Sequence, residues 1–175
     1  MKKLINGSVN IPNNITVQQN YLIIRAMDTL IEELKNKCHH RLRTSHFAAI
    51  FKHRRLRWNE RLVFTHNFMI SRGGKCSIHA EEVALKKYIS KHKKKDLLKI
   101  DILVVRLSKD NLLGISRPCK NCLHMMSKLR QTRGIIIKNV YYSTHNGNIN
   151  KEEFSDMMDS DMTHPSTGFS YKISP

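Results

Sequence analysis

The sequence is poor in acidic residues, in cysteines and in long apolar runs. Only 14 aspartates and glutamates stand against 31 lysines and arginines in 175 residues, which gives a formal charge of +17. Four cysteines are too few for a disulfide scaffold, and a chain of this length can bury a core without one. The basic first residues are followed by no apolar run, which argues against a signal peptide. No stretch of about 18 or more apolar residues occurs, so we expect neither a membrane span nor a membrane partner.

These shortages bear on compartment and partners. Without export we expect a cytoplasmic protein, with the nucleus as the alternative, in which thiols stay reduced and a close cysteine pair indicates a metal or redox site. An excess of positive charge attracts polyanions, so we expect a nucleotide or a single-stranded nucleic acid as the substrate and partner. The alternative is compositional, because the chain is rich in Lys, Asn and Ile, as AT-biased coding produces. Assembly into a homo-oligomer stays open.

The chain has the organisation of one soluble domain. Hydrophobic residues make up 40% of it, and no linker or repeat divides it. We expect a flexible arm over 1–15, one domain over 16–160 and an irregular tail over 161–175. Apolar periodicity predicts helices over 17–36, 80–92, 118–133 and 151–158. Strands are predicted over 46–52, 61–66, 102–107, 112–115 and 135–142, with turns at 109–111 and 146–147. Strands that alternate with helices indicate an α/β fold with a partly parallel sheet.

Two short motifs hold the residues that can carry chemistry, Cys76-Ser-Ile-His79-Ala80-Glu81 and Pro118-Cys119-Lys-Asn-Cys122. Pro118 is predicted as the first residue of the third helix, since its missing N–H is not needed there, and Gly134 as that helix's left-handed end. The two cysteines are three residues apart and therefore lie on one face of the helix. In a first turn, free N–H groups and the helix dipole favour thiolates.

The motifs together supply the ligands of an open zinc site. Zinc favours thiolate and imidazole, and a catalytic zinc keeps three protein ligands and one free position. His79, Cys119 and Cys122 provide three, while Cys76 and Cys38 are more plausible as small apolar fillers. A zinc ion lowers the pKa of bound water to about 7. Glu81, two residues beyond His79, would lie near the metal without binding it and could move protons between water and substrate.

At this point the sequence resembles a known group of enzymes. His79-Ala80-Glu81 followed by Pro118-Cys119-Lys-Asn-Cys122 matches the H-x-E…P-C-x-x-C pattern of zinc deaminases. Over roughly residues 46–145 the chain is therefore similar to the cytidine deaminase superfamily, which includes free cytidine and deoxycytidylate deaminases, tRNA adenosine deaminases and polynucleotide cytosine deaminases. The resemblance implies a three-layer α/β fold, with a central mixed sheet of about five strands flanked by helices and zinc at two helix N-termini.

The resemblance also implies roles for single residues. His79, Cys119 and Cys122 would hold Zn²⁺, and Glu81 would be the catalytic proton shuttle. Asn67 would contact the sugar or base of the substrate, although a turn residue bonded to its own backbone is the alternative. Ala80 would offer its backbone amide to the base edge.

A basic segment between the first two strands suits nucleic acid. Arg54, Arg55 and Arg57 surround Trp58, and cations interleaved with an aromatic ring can pair phosphates and stack a base. The alternative is a solvated hairpin end whose tryptophan packs underneath.

Three functions are compatible with these patterns. The first is a hydrolytic deaminase that converts cytosine to uracil in a phosphate-bearing substrate, either a nucleotide or a single-stranded nucleic acid. The second is an adenosine-to-inosine deaminase acting on tRNA. The third is an inactive, zinc-stabilised nucleic-acid-binding protein on the same scaffold. The motifs do not separate cytosine from adenine, since both branches of the family carry His-Ala-Glu. The charge favours a phosphate-bearing substrate, because an uncharged nucleoside has nothing for it to attract.

Overall fold

The computed structural model describes residues 45–53, 63–66, 68–69, 77–91, 97–108 and 112–160, together with Arg25 and Asp28. The predicted first helix therefore lies outside the described residues, except for these two positions, as do the predicted arm and tail. None of the helices in the described part has the length and apolar character needed to span a bilayer.

Eight strands and three helices occupy the described ranges. The strands are β1 (Ser45–Lys52), β2 (Val63–His66), β3 (Phe68–Met69), β4 (Ser77–Ile78), β5 (Leu98–Leu107), β6 (Leu113–Gly114), β7 (Ile135–Ser143) and β8 (Ile149–Glu153). The helices are α1 (Ala80–Lys91), α2 (Lys120–Arg133) and α3 (Phe154–Asp159).

The strands form the mixed sheet that the sequence predicts. Its order is β2-β1-β5-β7-β8, with β6 added beside the end of β5, while β3 and β4 pair separately. The β5–β7 pair is parallel, and the β1–β2, β1–β5, β5–β6 and β7–β8 pairs are antiparallel. A five-strand path with helices packed on it confirms the predicted α/β architecture.

Both faces of the central strands are buried, which agrees with the all-apolar segment Ile102–Val105. Successive side chains of a strand point to opposite faces. One face joins the buried residues of the three helices in a single cluster, to which the sheet contributes Ala48, Ile50, Ile100, Ile102, Val104, Ile135, Ile137 and Val140. The opposite face is also buried, through Phe47, Ala49, Phe51, Leu103, Val105 and Tyr141.

Local signals set several of the element ends. The αL conformation of Gly134 (φ 66°) ends α2, and its N–H donates to the carbonyl of Arg130, as predicted. Gly147 has φ 79° in the predicted turn between β7 and β8. The predicted helix over 151–158 is wrong in its first half, because Ile149–Glu153 pairs with β7 as a strand and the helix covers only Phe154–Asp159.

Buried polar side chains satisfy the backbone where the pairing of β5 with β7 is irregular. The register shifts there by one residue, between the pairs Ile100–Ile137 and Ile102–Val140, so a backbone donor of β7 loses its ladder partner. The carboxylate of Asp101 accepts from the Asn139 N–H at 3.0 Å and from the Asn139 side-chain amide at 2.9 Å. It also accepts from Nδ1 of His53 at 2.9 Å. A single carboxylate therefore satisfies three donors.

We expect Asp101→Ala to lower the free energy of unfolding by about 2–4 kcal/mol, because it leaves these donors buried without an acceptor. Lys99→Ala is the matched control, since Lys99 is exposed on the same strand and should change stability by less than about 0.5 kcal/mol. Urea unfolding measures both, and equal effects of the two substitutions would contradict the role of Asp101.

Candidate metal centre

His79 stands at the start of α1. It follows β4 directly, and its carbonyl accepts the N–H of Val83 at 3.1 Å, the first bond of the helix. This backbone position fixes the imidazole at a helix N-terminus, as the sequence predicts. Ala80, the first residue of α1, is fully buried beside it.

Cys119 and Cys122 stand in the equivalent place on α2. Cys119 is the N-cap residue in an extended conformation, and its carbonyl accepts the N–H of Leu123 at 3.0 Å. The helix therefore begins at Lys120, two residues later than the predicted Pro118, because Cys119 occupies the flanking cap position. The thiol of Cys119 makes no capping bond, so it is available to the ligand cluster.

The three side chains converge on one point. Nδ1 of His79 lies 3.6 Å from Sγ of Cys119 and 3.3 Å from Sγ of Cys122. All three donor atoms lie within 4.8 Å of one another. A tetrahedral zinc ion with ordinary bond lengths would hold sulfur and nitrogen ligands about 3.6 Å apart. The donor chemistry and the separations therefore fit zinc, and the search of the described residues brings no fourth His, Cys, Asp or Glu into this group.

The protons of the cluster are strongly coupled. A hydrogen bond from Cys122 to the sulfur of Cys119 is the main cause that lowers the pKa of Cys119 to about 4 and raises the pKa of Cys122. The pKa of His79 is raised, chiefly by its hydrogen bond to Cys119. The lowered pKa favours the thiolate form of Cys119, which is the form of cysteine that binds metal.

Glu81 lies beside this cluster and is buried, with 3% of its surface exposed. One carboxyl oxygen, Oε2, has no hydrogen-bond partner in the described part of the chain. Burial is the main cause that raises the pKa of this carboxyl, against the opposing effect of nearby His79. A buried carboxyl without a full set of partners is costly to keep in a fold and is common at sites of proton transfer.

Ser116, which sequence reasoning missed, fixes the loop that carries Cys119. Its hydroxyl donates to the carbonyl of Val104 at 2.7 Å and accepts the N–H of Ser143 at 2.8 Å. The loop is thereby joined to β5 and β7 at the ends nearest the cysteines. No sequence signal identifies such a pair, because Ser116 and Ser143 are 27 residues apart.

Arg117, also missed, ties the same loop to β8. Its guanidinium makes a bidentate contact with Glu152, through Nη2 at 2.8 Å and Nε at 3.2 Å, and the Tyr142 hydroxyl donates to the same carboxylate at 3.1 Å. The side chain is only 11% exposed. Paired geometry of this kind restricts the loop more than a single exposed ion pair would.

Five of the predicted site residues belong to segments that the structure does not describe. Asn67, Arg54, Arg55, Arg57 and Trp58 lie outside the described residues. Their roles stay predictions from the sequence.

Comparison with known proteins gives a likeness among solved structures but none among sequence families. No protein-family profile and no curated protein matches the chain. Among solved structures, the chain is similar to a cytidine deaminase from Burkholderia pseudomallei, known from a 1.6 Å crystal structure. The two share 14% sequence identity with a TM-score of 0.43, over 65% of this chain and 78% of that one.

We expect the purified protein to carry one zinc ion per chain by elemental analysis. His79→Ala should weaken zinc binding by more than the roughly 10- to 100-fold that follows from disturbing an outer-shell partner. His124→Ala is the control, because His124 is exposed on α2 and should leave the affinity unchanged. A chromophoric chelator measures both affinities, and equal values for the two variants would contradict the ligand set.

Zinc affinity should also fall as the solution is made acidic. Metal binding displaces the protons that His79 and Cys122, with their raised pKa values, hold in the free protein. Lower pH favours those protons, so the dissociation constant should rise steadily from about pH 8 to about pH 5. A constant affinity over this interval would show that these side chains do not bind the ion.

Proposed function

We propose that the chain is a zinc-dependent hydrolytic deaminase that converts a cytosine moiety to uracil in a phosphate-bearing substrate. The observation that carries the proposal is the cluster of His79, Cys119 and Cys122 at two helix N-termini, with the buried carboxyl of Glu81 beside it. Hydrolytic removal of an amine from a nucleobase needs an activated water, a proton shuttle and an enclosed site. The ligand cluster supports an activated water. The carboxyl of Glu81 supports a proton shuttle, and its burial supports an enclosed site.

In this scheme zinc would supply the nucleophile, and the protein would hold the zinc ligands in place. Three protein ligands leave one position of a tetrahedral zinc open, and zinc with an open position lowers the pKa of water to about 7, which supplies a nucleophile at neutral pH. The protein's own contribution is to hold three ligands rigidly. Ser116 and Arg117 do so for the cysteine loop, and the first bond of α1 does so for His79.

Glu81 would move the protons. Its carboxylate would take one proton from the attacking water and deliver it to the ring nitrogen. It would then take the second proton of that oxygen and deliver it to the amine, so that the C–N bond breaks and ammonia leaves. The raised pKa suits this exchange, since it brings the carboxyl closer to the pH at which it must both accept and donate. Ala80 would present its backbone amide to the base edge, and Asn67 would contact the sugar or base.

The carboxyl of Glu81 also argues against a purely structural centre. A raised folded pKa means that ionised Glu81 destabilises the fold at neutral pH, because the unfolded chain carries that charge at less cost. A structural zinc site has no use for a buried carboxyl that destabilises the fold. A catalytic site uses that carboxyl for proton transfer, which favours an enzyme over an inactive zinc protein.

We expect Glu81→Gln to keep zinc and fold but to reduce deamination by at least about 100- to 10,000-fold, the usual contribution of a general acid–base group. Glu82→Gln is the matched control, since the neighbouring Glu82 pairs with Lys86 at 2.6 Å on the outside of α1. Its activity should stay near that of the parent. Ammonia release and zinc content are measured on the same samples. If zinc-loaded Glu81→Gln keeps its turnover, the shuttle role is wrong.

The base and its carrier are identified by a panel. Cytidine, its mono- and triphosphates, adenosine, single-stranded DNA and single-stranded RNA are each incubated with zinc-loaded protein. We expect ammonia from cytosine-containing substrates that carry phosphate. Ammonia from adenine-containing substrates alone would replace the proposed reaction by adenosine deamination.

A further inference from the structure

A basic pair lies at the same end of the sheet as the metal centre. His46, near the start of β1, is directly opposite Arg106, near the end of β5. Since strand side chains alternate, both residues belong to the face that carries Ala48 and Val104. That is the face against which α1 and α2 pack.

Electrostatics place this pair beside the ligands. The pKa of His46 is lowered to about 4, first by burial and then by the charges of Arg106 and His79, while Cys119 acts in the opposite direction. All of these groups therefore act on one imidazole ring. At neutral pH His46 is uncharged, and Arg106 supplies the positive charge of the pair.

Arg106 has no acidic partner in the described part of the chain. It is half-buried, and none of the ion pairs found there includes its guanidinium. Its backbone N–H, by contrast, is bound to the hydroxyl of Ser143 at 3.1 Å. Arg117 shows the alternative, since its guanidinium is held by Glu152. A half-buried guanidinium without a carboxylate presents a planar set of donors that suits a phosphate group.

Gly114 determines the path of this arginine. It pairs with Arg106 across the β5–β6 ladder. A Cβ at position 114 would lie 3.3 Å from Cδ of Arg106 and 3.7 Å from its Nε. The aliphatic part of the Arg106 side chain therefore passes over β6 at Gly114, where any side chain would crowd it. This strand belongs to the hairpin that leads into the cysteine loop.

We propose that Arg106, which lies opposite His46 across the β1–β5 ladder, binds a phosphate of the substrate next to the metal centre. The inference rests on the proposed deaminase function and deepens it, because it makes a nucleotide phosphate, rather than an uncharged nucleoside, the recognised chemical class. The phosphate belongs either to a free nucleotide or to a single strand, and the two sources share the same chemistry.

The first test compares substrates with and without phosphate. Arg106→Gln should lower kcat/KM for cytidine monophosphate by about 10- to 100-fold and leave that for cytidine unchanged. Arg133→Gln, which removes an exposed cation at the end of α2, should change neither value. An equal loss on both substrates, or no loss on either, overturns the proposal.

Gly114→Val provides a second variant that keeps the arginine but crowds its stem. Like Arg106→Gln, it should lower the ratio of kcat/KM for cytidine monophosphate to kcat/KM for cytidine.

A short single-stranded oligonucleotide with one cytosine is assayed in parallel with Arg106→Gln. If the nucleotide subsite also serves a strand, the loss in Arg106→Gln appears on the oligonucleotide as well as on the monophosphate, and if it serves a free nucleotide only, the loss is confined to the monophosphate. A loss on neither contradicts the subsite.

A binding measurement separates this inference from the proposed reaction. Inorganic phosphate is titrated into zinc-loaded Glu81→Gln protein, with and without Arg106→Gln, by isothermal calorimetry. Binding that requires Arg106 supports the subsite even if the parent protein deaminates nothing, in which case only the proposed function fails. Equal phosphate binding with and without Arg106 overturns the subsite while leaving deamination untouched.

Discussion

The parallel pairing of β5 with β7 is the constraint on which the centre depends. Two parallel neighbours need a crossover connection, which here is supplied by α2 (Lys120–Arg133). A crossover helix must begin near the carboxyl end of the first strand and return along the sheet. The start of α2 is therefore fixed near the end of β5, and Cys119, its N-cap, is fixed with it. Because α1 begins at the same end, His79 meets the two sulfurs there.

The same constraint explains where the polar groups of the core lie. Ser116 and Ser143 satisfy backbone groups at the carboxyl ends of β5 and β7, where the ladder stops and the cysteine loop crosses over. Asp101 and Asn139 satisfy them at the register shift farther back along the same two strands. Each pair removes a buried unsatisfied group, which would otherwise destabilise the fold by about 1–3 kcal/mol. Glu81 differs from these pairs, because one oxygen of its buried carboxyl has no partner in the described part of the chain, as is also true of Nη1 of Arg117 and the hydroxyl of Tyr141. Of these atoms, only the carboxyl oxygen belongs to an ionisable acid beside the His79, Cys119 and Cys122 cluster, a combination that is common at sites of proton transfer.

What the sequence could predict follows from the range of each interaction. The helix with its two cysteines and the end at Gly134 depend on residues within a few positions of each other, and they were predicted closely. The meeting of His79 with cysteines 40 and 43 residues away was predicted from the ligand preferences of zinc and from the resemblance to deaminases, since no local rule brings them together. The β8 segment Ile-Asn-Lys-Glu-Glu was mistaken for helix because it has no apolar alternation, and its strand conformation comes from pairing with β7. The Asp101 and Ser116 contacts were not predicted at all, because side-chain partners 38 and 27 residues apart leave no periodic signal.

The β6 hairpin joins these separate observations. It lies between β5 and the cysteine loop, so any change in its geometry is transmitted to Cys119 at one end and to Arg106 at the other. The hydroxyl of Ser143 on β7 joins both strands of the hairpin. It accepts from the Arg106 N–H of β5 and donates to the Gly114 carbonyl of β6 at 2.7 Å. A hairpin held in this way cannot swing independently of the sheet. It therefore fixes the backbone of Arg106 relative to the loop that carries Cys119. The placement of both residues is thus set by hydroxyl groups bonded to the sheet rather than by the metal ligands themselves.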